Sequence, residues 1–417
     1  MKKNTGTTII GYELNDTYAQ ISYCGLEAGE PETASLVLGS EQFNIPVALL
    51  KKPDSNLWLY GKDALKEEGV ITHLLGLAIN GTEVNAYGEV VDPVGLLSLF
   101  VKRSLSILTM QVNTGNIAAF MFTTPKITPR IVEIFEQIAL TLDLPPERIY
   151  LQSYRESFYQ YIVHQPRELW NHQVLLFEYG SHMKLYRMET NKKTTPMVVF
   201  IENENFPDFR YIIGPSERTK KEWDEQFLAL SEEAVKSRMV SSVYLVGEGF
   251  KDEWAKDSLK YLCMGRRVFR GNNLYSKGAC YGAMEKFEPS EISETMVFLG
   301  EDKLKSNIGI RLLRGGFESY FAILDAGKNW HECENEFEII LDEEPELMLI
   351  ITSLTGGFVS ERLITLDGLP ERPPRTTRLH LAIHLTSADT ANLIITDLGF
   401  GDFFPTAGRE WTFELDL

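Results

Sequence analysis

The sequence predicts an α/β protein followed by an all-β sandwich. Three observations carry that prediction. Strands and helices alternate from Asn116 to Leu175, the mark of an α/β layer. Two strand–turn–strand elements with an acid at a strand end, Thr7–Cys24 and Val174–Met188, punctuate that region. From about Glu288 the helical periodicity stops, and short strands recur at roughly the 8–12-residue spacing of a sandwich.

The elements follow in order. Thr7–Cys24 reads strand, acid (Glu13), polar turn (Asn15, Asp16), strand. Ser35–Leu38, Ile45–Leu50 and Trp58–Tyr60 read as strands, and Gly61–Glu68 as a short helix. Pro93–Leu108 is a stronger helix, because Leu96, Leu97, Phe100, Val101 and Leu105 recur at helical spacing. Asn116–Thr123 is an apolar strand; Pro125–Pro129 then turns the chain into helix Arg130–Leu142. Ile149–Leu151 is a short strand, and Glu156–Val163 a helix whose Phe158 and Tyr159 read as packing residues. Val174–Glu178 is a buried strand, Gly180 and Ser181 a sharp turn, and Met183–Met188 the returning strand. Asn203–Gly214 shows no clear pattern. Ser216–Ser237 is a charged helix, and Ser242–Val246 a strand closed by the turn Val246–Gly249. Glu253–Cys263 reads as a helix and Arg267–Phe269 as a strand. In helix Leu274–Met284 the small residues Gly278, Ala279, Gly282 and Ala283 allow close packing. Polar Phe287–Thr295 marks a boundary. Nine strands follow, from Met296–Leu299 to Trp411–Leu415, with turns at Gly315–Gly316, Gly356–Gly357, Pro370–Pro374 and Gly399–Gly401.

Composition bounds the function classes. The 417 residues suggest two or three domains. Hydrophobic residues at 44% leave an ample core, so no disulfide or metal staple is required. A net charge of −18 argues against nucleic acid, which needs a basic footprint, and against anionic membrane surfaces. The four cysteines, Cys24, Cys263, Cys280 and Cys333, are scattered and read as reduced thiols of a cytoplasmic protein. Lys2 and Lys3 precede only Ile9–Ile10, so no signal peptide is expected. His380 and His384 share one strand face, but no cysteine or acid pattern completes a metal site.

Two acid-ended hairpins and a glycine turn, in this order, resemble the actin/hexokinase/heat-shock ATPase fold. More narrowly, the chain resembles the DnaK-type (seventy-kilodalton heat-shock) chaperones. Ile9–Ala19, IIGYELNDTYA, stands where that family has its first phosphate hairpin. Phe122–Tyr161 is similar to its strand, proline, helix, strand and connecting helix, and Leu175–Arg187 to its second phosphate hairpin. Val243–Asp252, VYLVGEGFKD, is similar to its adenosine turn, and Lys277–Met284 to the small-residue helix that follows. Val297–Leu312 and Leu363–Asp402 are similar to its interdomain linker with first sandwich strand and to its late strands. The resemblance implies an actin-like lobe I over 1–170, a reduced lobe II over 171–287 and a peptide-binding sandwich over 288–417.

It also implies a site. Glu13 and Glu178 stand at the catalytic acids that hold the metal. Asn15, Asp16, Thr17, Gly180, Ser181 and His182 stand at the phosphates, and Gly247, Glu248 and Gly249 at the adenosine, with ATP and Mg as cofactors. The residues depart from that pattern. The family's acids are aspartates; a glutamate is one methylene longer and shifts the carboxylate by about an ångström, where placement governs rate. Asp16 replaces a threonine, and a carboxylate about 4 Å from a phosphate charge repels it by roughly 4 kcal/mol at an effective dielectric of 20. Ser181 and His182 replace glycines, and Ser153 replaces the acid of the connecting helix. Glu178 to Gly247 is 69 residues (247 − 178), short for the subdomain that closes over the adenine. The expectation is a degenerate ATP site with hydrolysis lost or very slow. In the sandwich, the resemblance puts a peptide groove near Leu312, Leu313, Phe317, Ile350 and Ile351. The chain ends just after the last strand, without the helical lid, so a protein or peptide partner held by loops is expected. A slow ATPase or ATP-dependent chaperone using Glu13 and Glu178 at a metal site is one alternative, and a bacterial actin-like filament protein another.

Overall fold

A hairpin opens each half of the first 298 residues. The structure is a computed structural model that describes residues 7–25, 29–37, 39–52, 57–86, 88–109, 111–112, 115–236, 238–354 and 358–417. The expected turn Gly356–Gly357 lies outside these. In the first half, β1 (Thr8–Leu14) returns as β2 (Tyr18–Gly25), and β3 (Glu32–Thr33) adds beside it. Helices α1 (Leu74–Asn80) and α2 (Pro93–Ser104) follow, then β4 (Ile117–Thr124), α3 (Pro129–Thr141), β5 (Ile149–Ser153) and α4 (Tyr154–Val163). β4 and β5 run parallel to β1, so the sheet order is β5-β4-β1-β2-β3.

The second half repeats the scheme. It comprises β6 (Gln173–Tyr179), β7 (His182–Asn191), β8 (Met197–Arg210), α5 (Glu217–Val235), β9 (Val240–Val246), β10 (Arg267–Arg270) and α6 (Leu274–Phe287). Its order, β10-β9-β6-β7-β8, matches the first, with β9 and β10 parallel to β6. The central strands β1 and β4 are buried at every position, which explains their near-continuous apolar runs. Helices α2 and α3 start where the sequence signals it. Asp92 accepts from Gly95 N and Thr128 from Ile131 N, each followed by a proline at the first helical position.

Each sheet is covered on both faces. On one face of the first, Tyr12 Oη meets Ser104 Oγ of α2 at 2.6 Å, and Phe122 packs on Phe135 of α3. Its other face takes α6 from the second half, where Ala279, Cys280 and Ala283 meet Ile9, Ala119 and Met121. On the second sheet, Phe177 packs on Phe227 of α5. Its other face takes α4 from the first half, with Phe158, Tyr159 and Ile162 against Val174, Leu176 and Tyr244. The two halves thus exchange helices α4 and α6. The small residues of α6 make this possible: a Cβ on Gly278 would fall 1.9 Å from Ser157 O of α4.

Several expected elements shift. No strand forms over Ser35–Val37, and the helix from Gly61 ends at Ala64. The patternless stretch belongs to β8, which runs to Arg210. The helix expected over Glu253–Cys263 shrinks to Asp257–Leu262, because buried Asp224 of α5 accepts from the N–H groups of Lys256, Asp257 and Ser258 and so fixes its start. Met296–Leu299, expected as the first sandwich strand, instead forms β11 (Met296–Phe298), which lies parallel to β8 in the second sheet.

The chain divides into two compact units, Met1–Phe298 and Leu299–Leu417. The second holds two four-stranded antiparallel sheets. One contains β12 (Ser306–Arg314), β13 (Phe317–Leu324), β15 (Glu346–Ser353) and β16 (Val359–Thr365), and the other β14 (Glu334–Leu341), β17 (Thr377–Ser387), β18 (Thr390–Gly399) and β19 (Glu410–Asp416). Burial alternates along β17 and β18, placing Leu379, Leu381, Leu393 and Ile395 inside. Phe321 on Phe337, and Asn335 Nδ2 donating to Ile323 O, join the sheets. Among the described residues no helix is long and apolar enough to cross a membrane.

Candidate functional site

Glu13 and Glu178 are the penultimate residues of β1 and β6, the corresponding strands of the two halves. Each meets a tyrosine from the helix that its own half lends to the other. Tyr154 Oη, at the start of α4, donates to Glu13 Oε1 at 2.9 Å. Tyr275 Oη, in the first turn of α6, donates to Glu178 Oε2 at 2.9 Å. The two tyrosine rings stack with centroids 4.1 Å apart and planes 14° apart. The predicted acids are therefore brought together, but through the series of contacts Glu13–Tyr154–Tyr275–Glu178, in which the two rings stack between the hydrogen-bonded carboxylates. Lys184 Nζ closes it on Glu178 Oε1 at 3.1 Å.

Electrostatics follow from the burial. Glu13 is fully buried, and desolvation raises its pKa from 4.5 to about 7; the hydroxyls of Tyr154 and Tyr18 oppose the rise, and the nearby charge of Glu178 adds to it. Burial also raises Tyr154 and Tyr275 well above the usual phenol value, so both remain donors. Among the described residues no cluster of three His, Cys, Asp or Glu is placed to hold a metal ion.

The first and third turns are taken up by the chain itself. In the first, Asn15 Oδ1 accepts from Thr17 N, Thr17 Oγ1 and Tyr18 N, each at 2.9 Å. This Asx turn satisfies the Thr17 and Tyr18 N–H groups within the chain. Asp16 faces α1 instead: Oδ1 accepts from Gly76 N at 2.8 Å, and Oδ2 lies 2.7 Å from His73 Nδ1. Its charge caps a helix whose own N-cap, His73, offers no side-chain bond. At the second turn Gly180 is open, since an added Cβ would meet nothing within 4 Å, and Ser181 Oγ lies 3.1 Å from His182 Nδ1. At the third, Cβ atoms on Gly247 and Gly249 would fall 2.5 Å from Tyr179 O and 2.2 Å from the Tyr179 ring. These glycines make room for Tyr179, whose ring packs among Phe209, Tyr211, Trp223, Phe250 and Trp254. Glu248 Oε1 accepts from Asn44 Nδ2 at 3.1 Å, linking the halves over this turn. Ser153 is the N-cap of α4.

Sequence reasoning missed Tyr154, Tyr275 and Tyr179. Tyr154 and Tyr275 stand at matching places, near the starts of α4 and α6, a correspondence that shows only once the two folded halves are laid over one another.

In the second unit an open groove of about 930 Å³ lies between the β12–β13 and β14–β15 turns. Leu312, Leu313, Ile340 and Met348 contribute its apolar lining. Arg314, Arg378, Glu338 and the pair Arg375–Asp342 contribute charge. Of the expected peptide contacts, Leu313 lines the groove and Phe317 stands 80% exposed at the adjoining turn. Ile350 is a correction: it is 6% exposed, does not line the groove, and pairs with Gly309 inside its sheet.

Comparison with known proteins returns two matches. Residues 303–417 match a "Domain of unknown function (DUF8552)", the bulk of the second unit. No curated protein matches the chain. Residues 30–301, about two thirds of the sequence, match the "Family of unknown function (DUF5716) C-terminal", a match that includes Glu178 and the second and third turns but starts after the Glu13 hairpin. The chain therefore belongs to the DUF5716 family.

Proposed function

We propose that the first 298 residues form a two-lobed actin-like fold of the heat-shock ATPase type whose nucleotide cleft has become an internal joint. The chain then acts as a DnaK-like binding or scaffold protein, through its C-terminal unit. The repeated strand order and the exchanged helices support the fold reading. The observation that supports the functional reading is that the chain's own side chains bond or pack at the first and third turns and between the two acids. Asn15 takes the first turn's donors, Tyr179 fills the third turn, and the Tyr154–Tyr275 stack lies between the acids. Fold kinship alone does not confer activity; the site does.

Calorimetric titration with Mg-ATP is the test. No heat and no shift in melting temperature are expected, because a ligand that binds only the native state raises it by mass action. Micromolar binding with turnover that Glu178→Gln abolishes would replace this reading with a slow ATPase. Nucleotide-dependent light scattering would replace it with a filament protein.

For the partner, the groove's apolar lining with both charge signs around it suits an extended peptide segment bearing apolar and charged residues. Leu313→Asp should weaken such binding about tenfold, roughly 1.4 kcal/mol, in fluorescence anisotropy with labelled peptides.

A further inference from the structure

Cys24 and Cys280 are 256 residues apart in sequence (280 − 24) but meet in the core between the first sheet and α6. Cys24 on β2 is 2% exposed, and Cys280 is fully buried. Cys280 and Met284 lie four residues apart, hence on one face of α6. Cys24 Sγ touches Met284 Sδ at 3.5 Å, and Cys280 Sγ reaches Ile9 O at 3.7 Å. Ile9 sits directly opposite Cys24 in the β1–β2 ladder. Both thiols thus converge on one spot. Strand and helix are pressed together there, since a Cβ on Gly11 would fall 2.2 Å from Cys280 N.

We propose that Cys24 and Cys280 form an oxidation site that closes to an internal disulfide when the protein meets hydrogen peroxide. The roles of the two thiols differ. Cys280 is fully enclosed with its Sγ turned to Ile9 O, and burial raises its pKa, so Cys24, the less enclosed thiol, supplies the thiolate. That thiolate attacks one peroxide oxygen. The O–O bond breaks, and the departing hydroxide takes up the proton that Cys24 had released, leaving as water with Cys24 as sulfenic acid. Cys280 sulfur then attacks the Cys24 sulfur. The S–O bond breaks, and the hydroxyl leaves with the Cys280 proton as a second water. Two thiols lose two electrons, and the peroxide gains them. The new bond ties β2 of the first half to α6 of the second. Cys263, exposed, and Cys333, in the other unit, take no part.

The experiment treats the full chain with graded hydrogen peroxide, alkylates the remaining thiols in denaturant, and maps peptides without reduction. The expected result is a Cys24–Cys280 cross-linked peptide in most chains, lost on adding dithiothreitol, with a higher melting temperature for the oxidised protein. Recovery of both cysteines as alkylated thiols, at a dose that oxidises Cys263, would overturn the proposal. So would Cys24 ending as sulfinic acid with Cys280 intact. In Cys280→Ser, Cys24 should stop at sulfenic acid, trapped by dimedone. Should that variant not fold, the wild-type peptide map decides alone.

Discussion

At the scale of single residues, Glu13 gives the sharpest forecast. Its folded pKa of about 7 exceeds the unfolded value of 4.5, so between these pH values the native state holds a proton that the unfolded chain has released. Stability from this group is fully present below pH 4.5 and lost as pH rises to about 7, a change of about 3 kcal/mol. Glu13→Gln should remove that dependence. Urea midpoints at pH 5 and pH 8 should converge in the variant relative to the wild type; an unchanged pH difference would refute the assignment. Arg372 and Asp397 make the opposite case. They form a bidentate pair at 2.7 and 2.8 Å, Asp397 is fully enclosed, and the guanidinium holds its pKa at about 2. Arg372→Met would strand a buried carboxylate at a cost of about 3–5 kcal/mol, read as a lower denaturant midpoint. Replacing both partners with apolar residues should cost less. The acids at the strand ends were legible in the sequence, because an acid closing an apolar run is conspicuous. Their tyrosine partners were not, because Tyr154 and Tyr275 lie 141 and 97 residues away from the carboxylates they bond, and no local pattern encodes such a contact.

At the scale of elements, three glycines separate room for the chain from room for a ligand. Gly278→Ala puts a methyl 1.9 Å from Ser157 O, so α4 and α6 must part, at about 1–3 kcal/mol or more. Gly249→Ala drives a methyl into the Tyr179 ring and should cost a similar amount. Gly180→Ala meets nothing and should stay within about 0.5 kcal/mol. Thermal melts of the three variants check this ordering, and a large loss at Gly180 would break it. Elements with strong periodicity and local caps, such as α2 and α3, were readable within a few residues. The helix starting at Asp257 was not, since its cap comes from Asp224, 33 residues earlier and on a different element. β8 was missed because its far end is exposed and polar; pairing to β7, rather than its own pattern, makes it a strand.

At the scale of the whole molecule, strand density and turn signals located the β-rich C-terminal region, whereas its edge lay beyond them. β11 carries a sandwich-like apolar pattern yet pairs with β8, and Phe298 stacks on Tyr159 at 5.1 Å. A fragment ending at 298 should therefore melt at a higher temperature than one ending at 287, which lacks that strand; equal melting would contradict the pairing. The exchange of α4 and α6 bears on how the protein is made. β1 is made well before its cover: the helix that covers one of its faces begins 260 residues after its end (274 − 14). At roughly 5–20 residues per second, that surface waits on the order of 13 to 52 seconds for its cover. The nascent chain is left with an adhesive flank over that interval, and a holdase at the exit tunnel should bind it until Ala279 and Cys280 emerge.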